Sequence, residues 1–363
     1  MPDRVGSALR GRAPYRVSLA GGGTDLPFFA DVHGGAVLTS TIATYVHATL
    51  LPREDHNARI CSLDYDIVAD YNLAEPLMDQ STQLKLFDAV LRRLEPNRGF
   101  DLFVESDAPV GSGLGASGAL AALTTALLAA YTGRNLTRYD IAELAFEANQ
   151  ELQGERVGRQ DEYAATFGGI NFIEFTSQRT TVVPLRLPRA LICEMEHRFL
   201  LCHTPVERTP EDPVNEQVRL YREGRRETVE AMLALRELAY EMRDHLCRED
   251  LNAVADDLRR AGELKARTNP AAAREQVNEL LEMAFEAGGI GGKLLGAGGG
   301  GYLLIVCGPG RKGSVAEALK QRGGEVVPFL MDSDGVTTWS VQVEDAPTTH
   351  EFYRQWLRGA ADA

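Results

Sequence analysis

The stretch Pro109-Val-Gly-Ser-Gly-Leu-Gly-Ala-Ser117-Gly-Ala-Leu120 has the composition of an anion-binding loop running into a helix. Glycines let consecutive backbone N–H groups turn inward and approach oxygen atoms closely, and the helix adds its positive N-terminal dipole. Ser112 and Ser117 can add hydroxyl ligands. Taken alone, the same residues also suit a tight turn packed on a helix. The spacing is neither G-x-x-x-x-G-K-[ST] nor G-x-G-x-x-G with an acidic residue downstream, which argues against P-loop and Rossmann readings. Two further glycine runs stand apart from it: Gly21 to Gly23, followed by Thr24-Asp25, and Gly296 to Gly301. By themselves Asp161 and Glu162 read as a solvated turn, and Asp25 as a cap for a helix beginning at Pro27.

The elements that must position these residues alternate in type. Tyr15 to Ala20 and Gly35 to Leu51 carry strand patterning, Leu84 to Leu94 has helical apolar spacing, and Phe100 to Glu105 alternates as a strand. Gly118 to Tyr131 is almost wholly apolar, so that helix must be buried. A helix over Arg138 to Leu152 with Thr137 as N-cap leads into a polar turn, Gly154 to Gln160. Strands follow at Ile170 to Phe175, Thr181 to Leu185 and Arg198 to His203, then two long helices within Asn215 to Arg267, broken near Cys247 to Leu251. The end reads as helix Gln276 to Ala287, strand Tyr302 to Cys307, helix Gly313 to Arg322 and strand Glu325 to Leu330. No fixed-period repeat is present.

Composition narrows the class. A chain of 363 residues with 44% hydrophobic and 25% charged residues can bury a substantial core, and its length favours two lobes with a cleft between them. The formal charge of −14 argues against general binding to nucleic acid or an anionic membrane, so any anion site must be local. Five scattered cysteines without a C-x-x-C pair indicate neither a zinc site nor a disulfide framework, and the seven histidines show no metal-ligand spacing. With no apolar run of about 20 residues and no signal-peptide core, the expected location is the cytoplasm.

In combination the motifs become specific. Pro109 to Leu120 resembles the second, ATP-binding motif of the galactokinase/homoserine kinase/mevalonate kinase/phosphomevalonate kinase (GHMP) superfamily. Gly21 to Asp25 after Arg16 resembles its first motif, and Lys293-Leu-Leu-Gly-Ala-Gly-Gly-Gly-Gly301 its third, in the usual chain order. The triple glycine before Thr24-Asp25, the segment Gln160 to Gly169 and the third motif are most similar to bacterial D-glycero-D-manno-heptose 7-phosphate kinases, with fucokinase domains close by. Galactokinases usually carry Glu-His where this chain has Gly22-Gly23, and Ala116-Ser117-Gly118 departs from the usual double serine.

The resemblance implies a two-lobed α+β fold, with an N-terminal lobe related to ribosomal protein S5 domain 2 and a C-terminal α+β lobe. On this reading residues 1–190 form the ATP-binding domain, 191–345 the C-terminal domain and 346–363 a tail. It implies ATP and Mg²⁺, with Pro109, Gly111, Ser112, Gly113, Leu114, Gly115, Ala116 and Ser117 at the nucleotide. Ser117 and Glu151 become the metal ligands, with Glu155 as the alternative glutamate. Asp161 stands against the acceptor hydroxyl, and Arg16 lowers its pKa and stabilises transferring charge. The sugar falls to Arg16, Gly22, Gly23, Thr24, Asp25, Asp161, Gly298 and Gly299, while Arg156 and Arg159 are either phosphate contacts or an exposed pair.

The expected reaction is ATP-dependent phosphorylation of a sugar hydroxyl, with O1 of a manno-heptose 7-phosphate as the favoured acceptor and a homodimer as a possible assembly. A fucose-type sugar 1-kinase, a sugar- and ATP-binding sensor without turnover, and a dinucleotide-dependent oxidoreductase are the rivals.

Overall fold

The structure, a computed structural model, describes residues 7–62, 67–75, 85–109, 111–206, 213–268 and 275–342. Alternating apolar residues build a long hairpin from β1 (Ser7–Ala20) and β2 (Gly35–Pro52), with α1 (Pro27–His33) between them. The first half of β2 pairs with β6 (Ile170–Phe175) and the second half with β5 (Phe100–Ser106). β3 (Asn57–Ser62) and β4 (Ile67–Asn72) extend the sheet beyond β5, and β7 (Thr180–Pro184) extends it beyond β6.

The apolar α3 (Ala116–Thr132) packs on β1 and β2, with α2 (Lys85–Leu94) and α4 (Arg138–Gln153) packed against it. α3 buries Ala119, Leu123 and Leu127 completely, as its sequence required. Thr137 caps α4 through a reciprocal box with Asp140.

Next come α5 (Gln160–Phe167), α6 (Arg189–Arg198) and β8 (Phe199–His203), followed by α7 (Pro213–Arg222), α8 (Arg226–Cys247) and α9 (Leu251–Thr268). α10 (Glu275–Glu286), β9 (Gly289–Leu294), β10 (Tyr302–Cys307), α11 (Lys312–Lys320), β11 (Glu325–Val327) and β12 (Thr337–Gln342) complete the described chain. A second antiparallel sheet runs β11-β8-β10-β9. α9 lies directly on β9: a Cβ on Gly291 would stand 2.1 Å from the Ala255 carbonyl oxygen, so only glycine permits this approach.

The two-lobed α+β architecture agrees with the sequence reading, with local differences. Three helices occupy Asn215 to Arg267 instead of two, because Gly224 turns the chain with φ +69° after α7. α5 begins at Gln160, where the expected polar turn Gly154 to Gln160 ends. The division at 190/191 falls inside α6, and β12, from the segment allotted to the second lobe, pairs with β1 in the first sheet. One core cluster runs from Leu9 through Leu304 to Phe329, so the lobes share apolar contacts. The tail 346–363 lies outside the described residues.

Candidate active site

Backbone contacts draw the three glycine motifs together. The Arg16 N–H donates to the Leu114 carbonyl at 2.9 Å, and the Tyr302 N–H to the Ser112 carbonyl at 3.2 Å. The third loop meets the second so closely that a Cβ on Gly296 would lie 2.7 Å from the Gly113 Cα. Between them opens a cavity of about 550 Å³, lined among others by Arg16, Asp25, Gly113, Ser117, Asp161 and Lys293. Four buried polar atoms on its lining residues have no hydrogen-bond partner among the described residues: Ser18 Oγ, Gln160 Oε1, Glu162 Oε2 and Gln217 Nε2. Buried polar atoms are rarely left unpaired, which marks the cleft as built for a polar ligand.

The glycine loop enters α3 at Gly115, which has φ +78°, no side-chain cap and no acidic residue in the first turn that follows. The helix therefore presents free N–H donors and positive potential to the cleft. Gly118, one turn in, lets α5 approach: a Cβ there would stand 2.4 Å from the Asp161 Cβ. That contact holds Asp161 at the loop.

Arg16, only 5% exposed, binds Asp161 Oδ1 through Nε and Nη2, both at 2.7 Å, and donates Nη1 to the Gly113 carbonyl at 2.8 Å. The expected lowering of the Asp161 pKa is not the net result. Burial raises it, Arg16 pulls it down, and the nearby Asp25 carboxylate raises it again; the sum is upward. Asp25 is fully buried and accepts from the Gly23 N–H at 2.8 Å and the Gln160 N–H at 3.2 Å. It does not cap α1, whose N-cap is Leu26 without a side-chain bond.

Neither glutamate expected at the metal lines the cavity. The Glu151 carboxylate is held by Arg92 and by Arg93 Nη1, the latter at 2.7 Å. Glu155 pairs with Arg222. The carboxylate beside Ser117 belongs instead to Glu162. Ser117 Oγ donates to Asn149 Oδ1 at 2.8 Å, and Asn149 Nδ2 donates to Glu162 Oε1 at 2.6 Å. Burial, then the charge of Asp161, pushes Glu162 up to about 8. A buried carboxylate with one oxygen unpaired, next to an amide and a hydroxyl oxygen, is a donor set that suits a hard cation such as Mg²⁺.

Other sequence candidates separate. Gly22, Gly23, Gly111, Ser112 and Ala116 line the cavity. Thr24 does not: it is fully buried, and its hydroxyl is occupied by the Gly21 and Ala36 carbonyls. The third-loop lining ends at Ala297, so Gly298 and Gly299 fall outside it, as do Pro109 and the core side chain of Leu114. Arg156 lines the cavity, whereas Arg159 is tied to Asp31 and the Thr176 carbonyl. Sequence reasoning missed Asn149, Glu162, Gln217, Lys265 and Lys293 as lining residues.

Comparison with known proteins gives the family. Residues 82–169 match the N-terminal domain of GHMP kinases and residues 242–325 the C-terminal domain. The chain is 32% identical over 339 residues to the D-glycero-alpha-D-manno-heptose 7-phosphate kinase of Campylobacter jejuni, covering 92% of this chain and 99% of that one. It is 28% identical to the bifunctional fucokinase/GDP-fucose pyrophosphorylase of Arabidopsis thaliana across 94% of this chain and 33% of the larger protein. The crystal structure of a D-glycero-D-manno-heptose 1-phosphate kinase from Bacteroides thetaiotaomicron matches with a TM-score of 0.76 at 26% identity, covering 92% of this chain and 99% of that one. The chain belongs to the GHMP kinase family. It is accordingly a phosphotransferase with a hydroxyl group as acceptor. No helix among the described residues is long and apolar enough to cross a membrane.

Proposed function

We propose that this protein transfers the γ-phosphate of ATP to a sugar hydroxyl, with O1 of D-glycero-D-manno-heptose 7-phosphate as the acceptor and the 1,7-bisphosphate as product. The observation that carries this reading is the Arg16–Asp161 pair at 2.7 Å, set against a glycine loop that opens an uncapped helix. Phosphoryl transfer needs mainly positioning and charge neutralisation, and this arrangement supplies both. The choice of acceptor rests on likeness to the heptose phosphate kinases, and the cytoplasm is the compartment that fits ATP and a sugar phosphate.

In the reaction the acceptor oxygen attacks the γ-phosphorus, the bond to the β–γ bridging oxygen breaks, ADP leaves, and the hydroxyl proton passes to Asp161. The raised pKa of Asp161 brings it closer to neutrality and makes it a better base than an ordinary carboxylate. Arg16 keeps it oriented and faces the migrating charge. Loop N–H groups between Gly111 and Ser117, other than those of Ser112 and Leu114 that donate within the loop, hold the donor phosphates. Asp25 and Gln160 offer hydrogen bonds to the sugar. Ser117, Asn149 and Glu162 would hold Mg²⁺, which when bound neutralises charge on the donor phosphates.

A panel of sugars and sugar phosphates incubated with ATP and Mg²⁺ and read by ³¹P NMR tests this. The expected result is ADP together with a new anomeric phosphate resonance from the heptose 7-phosphate. Turnover only with unphosphorylated fucose or another hexose would move the protein to the fucokinase-like class. Binding of ATP and sugar without ADP would make it a sensor.

A further inference from the structure

The wall of the cleft opposite the glycine loop carries two lysines that the transfer chemistry above does not use. Lys293 in β9 is 8% exposed and lines the cavity, yet among the described residues its ammonium group makes no hydrogen bond or ion pair. Lys265 in α9 lines the same cavity, and its one hydrogen bond among the described residues is to the neutral Gln217 Oε1, at 3.2 Å. Burying an unpaired ammonium group is costly, and placing a second beside it compounds the cost. Burial, then Lys265, then Arg16 pushes Lys293 down to about 7. Lys265 is also lowered, by burial first; Asp25 opposes this and Arg16 adds to it. Two lysines that repel each other, one buried and one half-buried, with an orphaned Gln217 amide nitrogen alongside, are a site awaiting an anion.

Position identifies the source of that anion. Gly23, in the first motif, has Gln217 and Lys265 over it: a Cβ there would lie 3.0 Å from Gln217 Nε2 and 3.2 Å from Lys265 Nζ. Lys265 thus neighbours the Gly23–Asp25 end of the cleft, where the acceptor sugar is proposed to sit, Lys293 feels the charge of Lys265 from the same cavity, and the donor phosphates already have the backbone N–H groups of the loop and α3. Resting on the sugar-kinase reading, we propose that Lys265 and Lys293, with Gln217, form a subsite for a phosphate monoester borne by the acceptor, so that this chain selects phosphorylated over unphosphorylated sugars.

Calorimetry on the whole chain separates the possible sources. The titrants are D-glycero-D-manno-heptose 7-phosphate, the same heptose without phosphate, and a non-hydrolysable ATP analogue, applied to wild type, Lys265→Met and Lys293→Met. Each variant should weaken the heptose 7-phosphate by about 10- to 100-fold, because a charge-assisted pair is lost. Affinity for bare heptose and for the ATP analogue should stay within about threefold. An equal loss for the ATP analogue would assign the lysines to the nucleotide and overturn the proposal, as would unchanged affinity for the sugar phosphate. Should either variant fail to fold, wild-type preference decides: equal affinity for heptose with and without its phosphate rejects the subsite. Lysine-dependent binding of the sugar phosphate without turnover would keep the subsite and reject the kinase substrate, whereas turnover of sugar phosphates unaffected by either substitution would do the reverse.

Discussion

The two walls of the cleft offer different means of holding negative charge. The Pro109-to-Ser117 wall uses neutral backbone donors fixed by a buried helix, with no cationic side chain in the loop itself. The α9–β9 wall offers two ammonium groups on side chains, neither paired with a carboxylate among the described residues. A backbone cradle is satisfied by water when empty and costs little to maintain, whereas an unpaired buried lysine strains the free protein. The first wall is therefore suited to a ligand that exchanges at every turnover, and the second to discriminating between acceptors through the difference between filled and unfilled states.

The largest effect should come from the group between the walls. Asp161→Asn keeps size but loses charge and basicity, so turnover should fall by about 10²- to 10⁴-fold while ATP and sugar affinities and folding stay near wild type. A change of only a few-fold in kcat would remove Asp161 from the chemistry. The upward shift of Asp161 places the acidic limb of the pH–rate profile above the usual carboxylate range, since protonating the base abolishes its role. Arg16→Met should move that limb higher still, because the charge that opposes the rise is gone. An acidic limb that does not move in this variant would leave Arg16 with charge stabilisation alone.

The backbone wall can be broken without disturbing that pair. Gly115→Val is unsuitable: its Cβ would lie 3.1 Å from Arg16 Cγ and 3.2 Å from Asp161 Cγ. Ala116→Asp instead places a negative charge at the N-terminus of α3, where it favours the helix but repels phosphate. Folding stability should hold while the ATP analogue binds about tenfold more weakly, and the heptose 7-phosphate should be affected less. Equal weakening of both ligands would show that the walls do not divide their work.

The metal corner gives a smaller effect. Glu162→Gln should raise the Mg²⁺ concentration for half-maximal activity by about tenfold, and Mn²⁺ binding followed by electron paramagnetic resonance should weaken in parallel. Glu151→Ala should leave both unchanged, because its carboxylate is spent on Arg92 and Arg93. The opposite ranking would restore the assignment made from sequence.

What could be read from sequence divides along the same line as the walls. Backbone sites announce themselves, because only glycine permits the approach, and three glycine runs in order were enough to place the cleft. The Thr137 cap was legible for a similar local reason. Side-chain sites depend on which way a residue faces once helices pack. Asn149 and Glu151 are two positions apart on α4, roughly 200° around the axis, so one faces Ser117 and the other the arginines of α2. No spacing rule on this one sequence separates them. Taken alone, Asp161 and Glu162 read as a solvated turn, because their packing depends on Gly118 admitting α5; the family resemblance is what singles out Asp161. Lys265 sits on a helix whose charges have both signs, so nothing local shows that it turns inward.

The smallest expected effect tests the strain on the lysine wall directly. In the unfolded chain a lysine titrates near 10.4, while folding pushes Lys293 down to about 7. Between those values the unfolded chain holds a proton that the folded chain lacks, so this residue's contribution to stability is full above the upper value. It is lost progressively as the pH falls toward 7. Lys293→Met removes the penalty and fills the same space. In the absence of ligand the variant should melt about 2 °C or more above wild type near pH 6.5, with the gap closing toward pH 10. Ala116→Asp, on the backbone wall, should show no such dependence over this range, because an aspartate at a helix N-terminus stays ionised throughout it. Adding heptose 7-phosphate at pH 6.5 should shrink or reverse the gap, since the anion compensates the buried ammonium in wild type and finds nothing to pair with in the variant. A gap that is independent of pH would mean that Lys293 reaches water well enough to stay charged at no cost. The contrast between the two walls would then reduce to one of geometry alone.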